Sequence, residues 1–115
     1  MNNIQFQDFG TQNNWINGRY LSSNSSNTIA VISPYYDKEI ATVPDSNFED
    51  LDLAVQTAKK IFPEWAELNI RDRAEIMFQF KFIMEKNLEE LAYLIALDNG
   101  KTVADAKGSI LRGKE

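Results

Sequence analysis

The chain has 115 residues, of which 43% are hydrophobic, and a formal net charge of -5. This length suits one modest hydrophobic core and excludes a large enzyme within these residues. The acidic balance opposes binding to nucleic acid or to anionic membranes. The sequence contains no cysteine and no histidine, which excludes disulfides, thiolate nucleophiles and the usual zinc ligands, so we expect no metal site.

Residues 1–13 are polar, and their apolar side chains, Ile4, Phe6 and Phe9, are too irregularly spaced to define a face. We interpret them as a flexible N-terminal arm. They carry no secretory or mitochondrial signal, and no apolar stretch in the chain approaches the ~20 residues of a membrane span. We therefore expect a cytoplasmic protein with no membrane partner.

A small antiparallel β unit is predicted over residues 14–44. Asn17-Gly18 between apolar and aromatic residues is a strong signal for a tight hairpin. The β-branched run 28–32 and the run 39–43 predict a second pair of strands.

The first helix is predicted to begin at a capping box of Ser46 with Glu49. Pro63 is predicted to end it, because the residue before a proline is pushed out of the α region. We interpret Trp65, just beyond, as a core anchor between two helices.

A second helix is predicted to begin at Asn69 and to be apolar on nearly every side. Such a helix needs cover on more than one side, from the rest of the chain or from a second chain. Asn87 with Glu90 either recaps a further helix or merely kinks this one, and the sequence leaves both possibilities open.

A helical elbow is predicted near the end of the chain. Asn99-Gly100 can end a helix in the left-handed conformation, and Thr102 with Asp105 can cap the next one. The helices together occupy 46–113. The predicted fold class is therefore α+β, a small antiparallel β unit followed by three or four helices.

Gly100-Lys101-Thr102 suggests a phosphate loop, but that signature needs a glycine where Ile95 stands and a preceding strand. No G-x-G-x-x-G dinucleotide motif occurs either. We predict neither a cofactor-binding residue nor a catalytic residue within this chain.

The elbow region nevertheless resembles a known segment, L-E-x-G-K-x-x-x-x-A-x-G-E of the aldehyde dehydrogenase superfamily. The matching residues are Leu97, Gly100, Lys101, Ala104, Ala106 and Gly108. Gly-Lys-Thr, Ala-Asp-Ala and the Arg112-Gly113 pair are most similar to the methylmalonate-semialdehyde dehydrogenase group, which acylates coenzyme A. Ser109 departs from the acidic residue usual at its position, so we expect the monovalent-cation site found in part of the family to be lost or weakened.

The resemblance implies that residues 14–115 are the N-terminal part of a nucleotide-binding domain whose parent fold is α/β. Intact members use NAD and coenzyme A, with a catalytic cysteine and a glutamate base encoded further on. The chain would then be an N-terminal portion, not competent alone, that meets a small aldehyde only with the rest of the enzyme present. The alternative is a non-catalytic helical module that oligomerises or binds a partner. We expect a homo-oligomer under both hypotheses.

Arg112 is the single candidate site residue. In the methylmalonate-semialdehyde group, an arginine followed by glycine at this point helps to hold the substrate carboxylate, and the guanidinium fork suits that task. The alternative is an exposed basic residue of the kind favoured at helix C-termini. We expect Arg112 to be idle in this chain, where the rest of the pocket is absent.

Overall fold

The computed structural model describes residues 5–115. In this part of the chain four strands precede four helices, which confirms the predicted α+β class. The strands are β1 (Asn14–Ile16), β2 (Arg19–Leu21), β3 (Thr28–Ser33) and β4 (Lys38–Pro44), and the helices are α1 (Phe48–Glu67), α2 (Ile70–Lys86), α3 (Leu88–Asn99) and α4 (Val103–Lys114).

The chain divides into two compact units. One, here called the helical unit, comprises Ile32–Lys38 and Ile70–Glu115 with the described part of Met1–Gln7. The other, the mixed unit, comprises Asp8–Val31 and Glu39–Asn69. The strands form two pairs, β1 with β2 and β3 with β4.

The first strand pair in the mixed unit is the hairpin predicted from Asn17-Gly18. Both turn residues have positive φ, 54° at Asn17 and 73° at Gly18. The strands pair antiparallel, with Trp15 opposite Tyr20, and these two rings meet edge to face with centroids 4.7 Å apart. Positive φ at both turn positions matches the right-handed twist of the strands, so the prediction is confirmed.

Residues 9–12 run beside β4 in the mixed unit. The Phe9 amide donates to the Ile40 carbonyl at 2.8 Å, and the Gln12 amide donates to the Thr42 carbonyl at 2.8 Å. These are backbone bonds, so the irregular side-chain pattern gave no signal for them. The flexibility predicted for 1–13 stays a prediction, and residues 1–4 lie outside the described residues.

Helix α1 begins one residue later than predicted. Its cap is Asn47, whose side-chain oxygen accepts from the Asp50 amide at 3.1 Å, while the Asp50 carboxylate accepts from the Asn47 amide at 3.2 Å. The Ser46 hydroxyl instead accepts from the Asn14 side chain at 2.8 Å. The predicted Ser46–Glu49 box is therefore wrong, because a long-range bond holds Ser46.

Pro63 does not end α1, which continues to Glu67, so that prediction is also wrong. A proline removes one helical hydrogen bond. The helix is already nucleated at its capped start, so it can continue past a single lost bond. Trp65 consequently lies inside α1 with 37% of its surface exposed, and it is not the predicted core anchor.

Asp50 also holds the loop that precedes β3. Its side chain is 5% exposed, its Oδ2 accepts a short hydrogen bond from the Ser23 hydroxyl, and its Oδ1 accepts from the Asn24 amide at 3.1 Å. Bonding from Ser23 first, and from the Asn24 and Asn47 amides after it, holds the pKa of Asp50 below its ordinary value against the opposing effect of burial.

In the helical unit, α3 and α4 pack through small side chains. The buried cluster consists of Ala92, Ala106 and Ile110, with partly buried apolar residues of α2, α3 and α4 around it. Asn87 separates α2 from α3, and its side-chain amide donates back to the Ile83 carbonyl at 2.8 Å rather than capping α3. The sequence left open a recapped helix or a simple kink. In the structure α3 is a separate helix, and Asn87 forms no side-chain cap for it.

The elbow between α3 and α4 is formed as predicted. Gly100 has φ 69°, and its amide donates to the Ala96 carbonyl at 2.9 Å. Thr102 caps α4 by accepting from the Asp105 amide at 3.1 Å, and its hydroxyl donates to the Asp105 carboxylate at 2.7 Å.

The turn after β3 packs against this elbow. The buried Ser33 hydroxyl donates to the Leu97 carbonyl at 2.5 Å, which satisfies one of the carbonyls that the end of α3 leaves free. A Cβ added to Gly100 would lie 3.0 Å from Cγ of Pro34. We call these four residues, Ser33, Pro34, Leu97 and Gly100, the turn–elbow contact.

We predict that Asp50 makes stability depend on pH in the acid range. The pKa of Asp50 is lowered in the folded protein. Its contribution to the free energy of unfolding is therefore complete above the pKa of an unfolded Asp, about 3.9. This contribution is lost as the pH falls through the lower pKa of the folded protein. The wild type should therefore unfold at a higher temperature than Asp50→Asn at pH 7, and this difference in Tm should shrink below about pH 4. A constant difference across this range would contradict the assignment.

Candidate functional site

Arg112 lies in the last turns of α4 and is exposed. Its Nη2 donates to the Ser109 hydroxyl at 3.3 Å. A Cβ added to Gly108 would lie 3.6 Å from its Nη1, so the guanidinium lies along its own helix above Gly108. The candidate residue is thus held on the surface of α4 by a residue one turn before it.

Lys101, which lies in the elbow just before α4, reaches the same hydroxyl. Its Nζ donates to Ser109 Oγ at 3.4 Å, and Ser109 Oγ donates to the Asp105 carbonyl at 3.2 Å. In the sequence, Lys101 is marked only by the rejected phosphate loop and by the family motif, and Ser109 only by its departure from that family's pattern. The spacing of residues 101, 105, 109 and 112, close to one helical face, is the signal that could have grouped them.

The other cations of α4 are paired with carboxylates on neighbouring helices. Lys107 Nζ lies 2.5 Å from Glu89 of α3, and Lys114 Nζ lies 3.0 Å from Glu85 of α2. Neither of these two ion pairs involves Lys101 or Arg112. Among residues 5–115, Arg112 on the outward face of α4 and Lys101 just before this helix are therefore two cations that form no ion pair with a carboxylate.

An open cleft of about 420 Å³ lies elsewhere in the helical unit, between α2 and the C-terminal end of α4. A second cleft, of about 550 Å³, lies between β1 and α1 in the mixed unit. Arg112 lines neither cleft. Most of the lining of the first is apolar, including Met77, Phe78, Phe80 and Met84, so it has the character of uncovered core surface rather than of a polar binding site.

Among residues 5–115, no three His, Cys, Asp or Glu side chains are grouped so that they could hold a metal ion. In the same stretch, no helix combines the length and the apolar character needed to cross a membrane.

The aldehyde dehydrogenase family model matches residues 20–115. Together with the elbow geometry and its motif, this match identifies the class: the chain belongs to the aldehyde dehydrogenase family. The resemblance predicted from the residues around Gly100 is confirmed.

Within this family, the chain is similar to dehydrogenases of malonate and methylmalonate semialdehyde. Malonate-semialdehyde dehydrogenase 1 of Oceanobacillus iheyensis is 38% identical over 102 residues, which are 89% of this chain and 21% of that protein. The mitochondrial acylating methylmalonate-semialdehyde/malonate-semialdehyde dehydrogenase of Bos taurus is 36% identical over 99 residues, which are 86% of this chain and 18% of that protein. The chain therefore spans about a fifth of the length of these relatives.

A solved structure shows the same similarity in three dimensions. An inferred methylmalonate-semialdehyde dehydrogenase from Sinorhizobium meliloti 1021, crystallised with NAD, superimposes with a TM-score of 0.88 at 31% identity. The match covers 96% of this chain and 22% of that one. The predicted fold, an N-terminal α+β piece of the aldehyde dehydrogenase architecture, is consistent with this neighbour.

Proposed function

We propose that this chain acts as the N-terminal portion of an NAD-dependent, coenzyme A-acylating aldehyde dehydrogenase that takes a carboxylated semialdehyde. The observation that carries the proposal is the agreement of sequence and backbone with the malonate and methylmalonate-semialdehyde dehydrogenases over most of the chain. The segment supplies helices and part of a substrate surface rather than the reacting groups.

The chemistry of acyl transfer supports a non-catalytic role for the chain alone. Acylation of coenzyme A through a covalent intermediate needs an activated nucleophile, and the family's nucleophile is a thiolate. The sequence has no cysteine to provide it and no histidine to act as a base near neutral pH. NAD, coenzyme A and the aldehyde would accordingly be engaged mainly by residues beyond those matched here. The cytoplasmic location stays a prediction.

Arg112 is proposed to hold the substrate carboxylate in the assembled enzyme. Its guanidinium is exposed and contacts a neutral hydroxyl instead of a carboxylate. Its donors are therefore not committed to an internal ion pair, and a planar fork can bind a carboxylate through two parallel hydrogen bonds. In the chain alone it has no opposing pocket wall, so we propose that it is idle in catalysis there, although its guanidinium can still bind a free anion.

A second candidate function, an oligomerising or partner-binding helical module, is favoured by α2. None of its residues is buried, and Phe78 and Phe82 are 69% and 65% exposed. A helix with apolar residues on nearly every side is stable in water only when other surfaces cover it. We propose self-association under both candidate functions, because the apolar surface is present in either case.

The enzyme-segment proposal predicts complementation in trans. A version of the Oceanobacillus relative that lacks its own matching segment should be inactive, and addition of this chain should restore NADH formation from malonate semialdehyde, NAD and coenzyme A. The chain alone should form no NADH. Adding the relative's own segment in place of this chain is the positive control. If that control restores activity and this chain does not, the enzyme-segment proposal is contradicted and the result favours the partner-binding helical module.

The self-association proposal predicts a dimer or a larger species of the purified chain in light scattering at high concentration. Phe78→Ser with Phe82→Ser should shift the population toward monomer, because the apolar area available for association falls. Gln79→Ser, at a polar residue of the same helix, is the control and should change the proportion of monomer little. A monomer at every concentration would contradict self-association.

A further inference from the structure

We infer that Lys101, Ser109 and Arg112 form a two-cation site for a ligand with two negatively charged oxygen groups, on the outward face of α4. The inference deepens the proposed function, because it rests on the carboxylate role proposed for Arg112. It adds Lys101 as a second binding cation and Ser109 as the residue that positions both side chains.

The geometry of Ser109 carries the first step. A hydroxyl has one hydrogen to donate and two lone pairs to accept. Ser109 Oγ donates to the Asp105 carbonyl at 3.2 Å and accepts from Lys101 Nζ at 3.4 Å and from Arg112 Nη2 at 3.3 Å. Every bonding direction of this oxygen is therefore used, and one long side chain from the elbow and one from the last turns of α4 are brought to one point.

Charge carries the second step. Lys101 Nζ and Arg112 Nη2 lie 3.4 Å and 3.3 Å from the same Ser109 oxygen. The two positive charges are therefore close together and repel each other. The carboxylate of Asp105, which lies on the same face, bonds the Thr102 hydroxyl at 2.7 Å instead of either cation. An anion placed between Lys101 and Arg112 would remove this repulsion and gain a charge-assisted hydrogen bond from each.

The two donors also suit one class of ligand. The arginine fork matches a planar carboxylate, whereas the lysine ammonium is a compact charge that accepts any nearby oxygen. A ligand with two carboxylates, or with a carboxylate beside an oxygen that becomes charged, can engage both. The cations paired inward, Lys107 and Lys114, are unavailable for this because Glu89 and Glu85 already neutralise them.

The test is a titration of the whole chain with malonate, at constant ionic strength, followed by amide NMR shifts around Ser109. Malonate should bind more tightly than acetate. Lys101→Met and Arg112→Met should each weaken malonate binding about tenfold, the loss of one hydrogen bond to a charged group. Lys59→Met, an exposed residue of α1 with the same charge change, should leave binding unaltered. Unchanged spectra elsewhere in the chain establish that each variant is folded.

Ser109 is tested as a positioning residue. Ser109→Ala should weaken malonate binding and reduce the preference for malonate over acetate, whereas Ser109→Thr, which keeps a hydroxyl, should restore both. A purely structural role for the residue would change stability without changing this preference.

The outcomes separate the two proposals. If Lys101→Met binds malonate as wild type does while Arg112→Met does not bind, the two-cation inference is overturned and the proposed role of Arg112 survives. If neither substitution matters more than Lys59→Met, both are overturned. Acetate binding as tightly as malonate, or inorganic phosphate binding more tightly, would overturn the assignment of a two-carboxylate ligand.

Discussion

The turn–elbow contact is the constraint on which the helical unit depends. Ser33 donates to the last turn of α3 at Leu97, and Pro34 fills the space beside Gly100 where another residue would place its Cβ. Gly100 ends α3 in the left-handed conformation, which costs an ordinary residue roughly 1–2 kcal/mol. Both the backbone conformation and the packing against Pro34 therefore favour glycine at position 100. The direction in which α4 leaves the elbow depends on this glycine.

That direction decides which face of α4 is buried. Ala106 and Ile110 pack into the cluster shared with α3, and Lys107 and Lys114 turn toward carboxylates of α3 and α2. Lys101 and Arg112 are left on the other side with Ser109, and within the described part of the chain neither cation forms an ion pair with a carboxylate. The proposed carboxylate role of Arg112 thus depends on a glycine twelve residues earlier in the chain, through helix geometry rather than through direct contact.

Local chemistry made part of this fold predictable. Asn17-Gly18 and Gly100 are positions where positive φ is required, so the hairpin and the elbow could be recognised from neighbouring residues alone. The cap of α1 could not, because the Ser46 hydroxyl is held by Asn14 from a distant strand. The pairing of residues 9–12 with β4 uses backbone groups, which leave no side-chain pattern. Arg112 was predicted from a family motif. From the sequence, only helical spacing could group Lys101 and Ser109 with it, because the meeting of the Lys101 and Arg112 side chains at the Ser109 hydroxyl is a three-dimensional contact.

The central claim is that Gly100 fixes the elbow, and native-state hydrogen exchange tests it most directly. In Gly100→Ala, the strained φ and the clash with Pro34 should speed exchange of the α3 and α4 amides by at least about fivefold, the equivalent of roughly 1 kcal/mol. Gly113→Ala, at a position with open space around it, should leave exchange equal or slower. Equal protection in wild type and Gly100→Ala would contradict the account.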